Sequence, residues 1–117
     1  MVVKVYCWEA KDSFGHFAVK LTDDTYLSFW PLNQYDINDA NNLRHTASRY
    51  HDDSNEDRLV EGRVQDEIIE IQKDLDEQKI KDFWEANKTS TFGMFNNCAI
   101  MTFKLIEAGG IDENDPE

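Results

Sequence analysis

From Val2 to Trp30 the sequence alternates with a period of two, the side-chain repeat of β-strands that lay one face on a core. Val3, Val5 and Cys7 alternate with Lys4, Tyr6 and Trp8, and Phe17, Val19 and Leu21 stand opposite His16, Ala18 and Lys20. A third run, Tyr26 to Trp30, ends at Pro31, which lacks the backbone donor a strand needs to continue. Lys11-Asp12-Ser13 and Thr22-Asp23-Asp24 supply turn chemistry between the runs. Residues 2–30 therefore predict an antiparallel three-strand meander.

Residues 33–62 are polar, rich in Asn, Asp, Ser and His, and hold no sustained period, although Ala40 to Tyr50 is compatible with a short helical turn. The segment reads as a long loop, uncommon in a small domain unless it covers a functional cleft. Val64 to Ile71 fits a strand through Ile68, Ile69 and Ile71, or a helix through Val64, Ile68, Ile71 and Leu75; the strand is preferred. Asp76 is an N-cap, with Leu75 and Ile80 at the staple positions of a helix over 77–87. After a Thr/Ser/Gly-rich loop from Lys88 to Phe95, Asn96 or Asn97 caps a helix over 97–108 that Gly109-Gly110 stops. Ala99, Ile100, Met101, Phe103, Leu105 and Ile106 make that helix apolar on nearly all sides, as a core helix is. Residues 111–117 form an acidic tail. The expected fold is a single α+β domain over 1–117, a small antiparallel sheet packed against a buried C-terminal helix that carries Cys98.

Charge narrows the function. With 24 Asp and Glu against 12 Lys and Arg, the formal net charge of −12 repels a phosphate backbone and an anionic membrane surface, and no basic stripe interrupts it. Nucleic acid is not an expected partner. No apolar run approaches the roughly 18–20 residues of a spanning helix. The start of the chain lacks the pattern of a Sec-type signal, and two cysteines far apart in sequence suit a reducing, cytoplasmic compartment. Delivery by a specialised secretion machine is compatible with both.

The candidate chemistry lies in two residues. Cys98 falls in the first turn of the last helix, where unpaired amides and the helix dipole favour a thiolate nucleophile and a backbone N–H is placed to meet an oxyanion. Small buried thiols are also ordinary core residues. His16, in Gly15-His16-Phe17 at the start of the second strand, has the chemistry of a general base, and equally that of a half-exposed strand histidine.

Taken together, Gly15-His16-Phe17-Ala18-Val19-Lys20-Leu21, then Tyr26-Leu27-Ser28-Phe29-Trp30-Pro31, then Asn97-Cys98-Ala99 opening a helix that ends at Gly109-Gly110, resemble the circularly permuted papain-like thiol enzymes. That group includes permuted relatives of the NlpC-type peptidases and of the lecithin retinol acyltransferase family, in which histidine precedes cysteine as it does here. The resemblance implies a thiol protease, amidase or acyltransferase acting on an amide or ester bond of a peptide, protein or acyl-lipid through an acyl-enzyme. Cys98 would be the nucleophile, His16 the base and Ser28, on the next strand, the residue that orients the imidazole. Asn97 would cap the helix or shape the oxyanion site, and Tyr6 would either approach the cleft or simply pack. The reading requires no cofactor and no metal.

A serine hydroxyl orients imidazole less strongly than His, Asn or a carboxylate. This departure keeps open a second reading, a non-catalytic acidic module on a papain-like scaffold whose charge suits a basic protein partner. His45, His51, Asp52 and Asp53 are donor types for zinc or manganese, but their spacing fits no compact motif and they read as a solvated polar loop.

Overall fold

The protein is described from a computed structural model that covers residues 2–10, 15–32, 47–93 and 96–110. The turn at Lys11-Asp12-Ser13, residues 33–46 with His45, and the acidic tail 111–117 lie outside the described residues. The fold is α+β. Strands β1 (Val3–Trp8), β2 (His16–Lys20), β3 (Tyr26–Pro31) and β4 (Ser48–His51) are followed by helix α1 (Ser54–Glu61), β5 (Glu67–Ile71), α2 (Glu77–Asn87) and α3 (Cys98–Ala108). The five strands form one sheet, ordered β4-β3-β2-β1-β5, and every neighbouring pair is antiparallel.

The meander expected for residues 2–30 is present, and its register assigns the faces. Val5 pairs with Val19 and Cys7 with Phe17, while Tyr6 pairs with Ala18 and Trp8 with His16. Because side chains alternate along a strand, the first set shares one face and the second shares the other. On the first face Val3, Val5, Val19, Leu27 and Phe29 meet Ile80 and Trp84 of α2 and Met101 and Leu105 of α3. Complete burial of each such aliphatic side chain contributes about 1.5–3 kcal/mol.

The two covering helices are locked together at their ends. Asp76 accepts from the amide of Lys79 at 3.2 Å, capping α2 as its sequence position indicates, and its own amide donates to Gly109 O at 2.9 Å. A Cβ at Gly109 would lie 2.8 Å from Ile80 Cδ1, so only glycine lets the end of α3 approach α2 this closely.

Three expectations change. Within the segment expected as loop 33–62, residues 48–51 form β4 and 54–61 form α1. Asp53 caps α1 by accepting from Asn55 N, and Gly62, in the left-handed region at φ 77°, ends it by donating to Arg58 O at 2.8 Å. The helix escapes a hydrophobic-period reading because its buried side chain is Asp57, whereas Leu59 is 80% exposed. The second correction concerns α3, which is not buried all round: Met101 and Leu105 face the sheet, but Phe103 is 52% exposed. A single helical layer buries only the stripe that touches the sheet, whatever the other positions carry. In the third case the preferred strand reading of Val64–Ile71 holds from Glu67 onward, with Val64 exposed ahead of it. Among the described residues no helix is long and apolar enough to cross a membrane.

Candidate functional site

The second face of the sheet is built differently. Tyr6, Trp8, Ala18 and Tyr26 form a small buried cluster there, next to four buried polar side chains: His16, Ser28, His51 and Asp57. The registers Trp8 to His16 and Ser28 to His51 put residues from four adjacent strands on that face, and α1 brings Asp57 down onto it. Gly15 makes this possible. At φ +82° a Cβ would meet Trp8 O at 2.8 Å, so the chain enters β2 tight against β1 only as glycine.

His16 is 1% exposed, stacked on Trp30 with ring centroids 4.1 Å apart and planes 23° apart. Its Nε2 lies 2.7 Å from Ser28 Oγ and 3.1 Å from Asp57 Oδ2. Cys98, partly exposed at the start of α3, is near enough to the same imidazole for its charge to act on it. Burial alone would push the His16 ring down; the charges of Cys98 and Asp57 and their hydrogen bonds outweigh it and raise the imidazole from 6.5 to about 10.

Asp57 is the centre of the cluster and is completely buried. Five side chains converge on its carboxylate: His16, Tyr26 and Ser28 on Oδ2, and Ser28, Trp30 and His51 on Oδ1. Burial opposes its ionisation, but the charge of His16 and the hydrogen bonds from His16, His51 and Tyr26 hold the carboxyl well below the usual carboxylate range. Burial, then the charge of Asp57, pushes Tyr26 far above the usual phenol range, so Tyr26 keeps its proton and donates.

This arrangement fixes the protons. An ionised carboxylate only accepts, so Nε2 of His16 and Nδ1 of His51, 2.6 Å from Oδ1, both carry hydrogen. Ser28 has one hydroxyl hydrogen, which goes to Asp57, leaving its lone pairs to accept from His16 and from Trp30 Nε1 at 2.9 Å. A neutral His16 in this setting has its free lone pair at Nδ1.

The structure thus brings Cys98, His16 and Ser28 into one chain of contacts and adds Asp57, which the sequence reading left inside the loop. The signal for Asp57 was present in the cap pattern: Asp53 with Glu56 three residues on, closed by Gly62, marks a helix of eight residues. Asn97 acts as a cap, its Oδ1 accepting from the amides of Ala99 and Ile100 at 3.1 Å each. Tyr6 is packed edge-on to Tyr26 at 5.6 Å and lies 6.4 Å from the Trp8 ring, so it meets the cluster through aromatic packing. His51, read as part of a solvated loop, is buried on Asp57, because β4 turns it onto the covered face. Cys7 lies in the apolar core; burial, then Glu67 and Glu9, pushes its thiol up to about 11. Among the described residues no group of three or more His, Cys, Asp or Glu side chains is arranged to hold a metal ion. Family models, curated proteins and solved structures were each compared with the chain, and none matches it.

Proposed function

We propose that the chain is a thiol enzyme of acyl transfer, a hydrolase or acyltransferase on an amide or ester bond, with Cys98 as nucleophile and His16 as general base in a permuted papain-like arrangement. The observation that carries the reading is the sequence of contacts from Cys98 to His16 and from His16 Nε2 to Ser28 and Asp57. With His16 raised to about 10, Nδ1 already holds the proton in the resting pair, and Sγ bonds the substrate carbonyl carbon while the imidazolium keeps it. The tetrahedral adduct collapses as the same proton passes to the leaving nitrogen or oxygen, leaving a thioester on Cys98. Water or another acceptor attacks that thioester, giving its proton to Nδ1, and the resting pair is restored. The amide of Cys98, next to those Asn97 occupies, is the helix-start donor for the oxyanion. Asp57, with Ser28, supplies the strong orienting group that a serine alone would not, and stabilises the imidazolium as it forms.

Substrates of this chemistry include peptide, protein and acyl-lipid carbonyls. The test is alkylation by iodoacetamide at pH 6, where a free thiol with a pKa of about 8.5 is roughly 0.3% thiolate. Cys98 is expected to label at least about tenfold faster than a peptide thiol, with the rate collapsing in His16→Ala. Cys7, buried and held as a thiol, serves as the internal control. Labelling at the peptide-thiol rate in both proteins would overturn the enzyme reading and leave the acidic interaction module in its place.

A further inference from the structure

We propose that His51 is a positioning residue which, by donating from Nδ1 to Asp57 Oδ1, holds the opposite carboxylate oxygen on Nε2 of His16. This role rests on the thiol-enzyme reading for its consequence in reactivity, but not for its geometry. Among the described residues, the buried side chain of α1 is Asp57, and Leu59 is 80% exposed. Asp57 must therefore be oriented by its own partners. Tyr26, Ser28 and Trp30 all come from β3 and between them reach both oxygens, Trp30 and Ser28 sharing Oδ1 with His51. His51 comes from β4, is buried, and bonds Oδ1 at 2.6 Å. It is also joined to α1 through only Asp52 and Asp53, so the bond closes a short loop and fixes where the helix starts.

The consequence follows from geometry. At 3.1 Å the bond between Asp57 Oδ2 and His16 Nε2 is already at the long end of the range, and a small rotation of the carboxylate breaks it. Loss of that bond leaves the His16 ring held by Ser28 Oγ at 2.7 Å and by its stack on Trp30, without the anion that fixes its tilt and its charge beside Cys98. Among the described residues, the charged and titratable groups facing His16 are Cys98 from α3 and Asp57 from α1, and those facing the Asp57 carboxylate are His16, His51 and Tyr26. Ser28 and Trp30 complete that shell without titrating in this range.

Asparagine and glutamine distinguish this role from packing. His51→Asn keeps an N–H donor at the δ position, His51→Gln moves it one methylene further, and His51→Leu removes it. Two readouts are taken on the full chain, with near-ultraviolet circular dichroism to confirm packing. The first is the nitrogen-coupled imidazole proton resonance of His16, visible only while its N–H is bonded and protected from exchange. The second is the Cys98 alkylation rate at pH 6. The expected result is a retained His16 resonance and a rate within about threefold of wild type in His51→Asn, against a lost resonance and a rate about tenfold lower in His51→Gln and His51→Leu. Equal behaviour of the Asn and Gln proteins, or a retained resonance in both Gln and Leu proteins, would overturn the role. If the Leu protein does not fold, the Asn and Gln pair decides. Slow alkylation of the wild type would count against the thiol enzyme alone, since the resonance still reads the orientation of His16.

Discussion

The two faces of the sheet are held by opposite kinds of force. Under α2 and α3 the contacts are hydrocarbon, with Val19, Phe29, Ile80, Met101 and Leu105 filling space without direction. On the other face, beside the small cluster of Tyr6, Trp8 and Ala18, the groups under α1 are an anion and its donors, where each bond has a required atom, hydrogen and angle. An apolar layer tolerates a change of shape if volume is kept, because dispersion and burial depend weakly on which atom touches which. A buried anion tolerates no such exchange, because each partner removed leaves either the charge or a donor unsatisfied in a medium that cannot replace it.

The largest expected effect tests that asymmetry. Asp57→Asn changes almost no volume, yet it removes the charge and turns one acceptor into a donor facing donors, and Asp57→Ala leaves five side chains without their acceptor. Urea unfolding is expected to show a loss of about 3–5 kcal/mol for Asp57→Ala, with Asn recovering little of it. Leu105→Met, an isosteric change on the other face, is expected to cost under about 1.5 kcal/mol. Similar costs for the Asn and Met proteins would erase the distinction between the faces.

The pH dependence sharpens it. His16 is raised from 6.5 to about 10, so its contribution to stability is full below pH 6.5 and disappears as pH rises through about 10. Cys7, raised from 9.0 to about 11, adds to the upper part of the same alkaline limb. Asp57 is depressed from 3.8, so its contribution is present above that value and disappears only as pH falls well below the carboxylate range. Urea midpoints are therefore expected to hold between about pH 4 and 6.5 and to fall progressively up to pH 11. In His16→Phe the part of the decline between about pH 6.5 and 10 should vanish; an unchanged profile would mean that the imidazole is not held by Asp57 and Cys98.

A smaller effect lies at the start of α3. Asn97→Ala removes the side-chain acceptor for two amides at the start of α3, and thermal or urea unfolding should register a loss of about 1 kcal/mol. Asn97→Asp, which keeps the acceptor, should restore it; failure to do so would mean that the amide group of Asn97 contributes more than a cap.

Much of the apolar face was legible because hydrophobic side chains repeat with the period of the element that buries them. Val3, Val5, Val19 and Phe29 announce their strands, and Asp76 and Asn97 mark where α2 and α3 begin. On the other face, His16 and Ser28 were legible as members of strands, and chain order suggested that Cys98 belongs with them. Neither β4 nor α1 was seen. Ser48-Arg49-Tyr50-His51 carries one apolar residue, and α1 buries a charge, so neither presents a stripe. The excess of apolar positions in α3 misled in the other direction, since Phe103 is apolar and still faces solvent.

The sequence by itself determined the strand meander, the capped starts of α2 and α3, and the placement of a cysteine at a helix start and a histidine at a strand start. Those features depend on residues within a few positions of one another, where periodicity and capping act. The tertiary structure alone decided that Asp57 is the acid behind His16 and that His51 is its second imidazole. A carboxylate can be buried only where donors from other elements surround it, and the donors of Asp57 come from three strands, two of them distant along the chain.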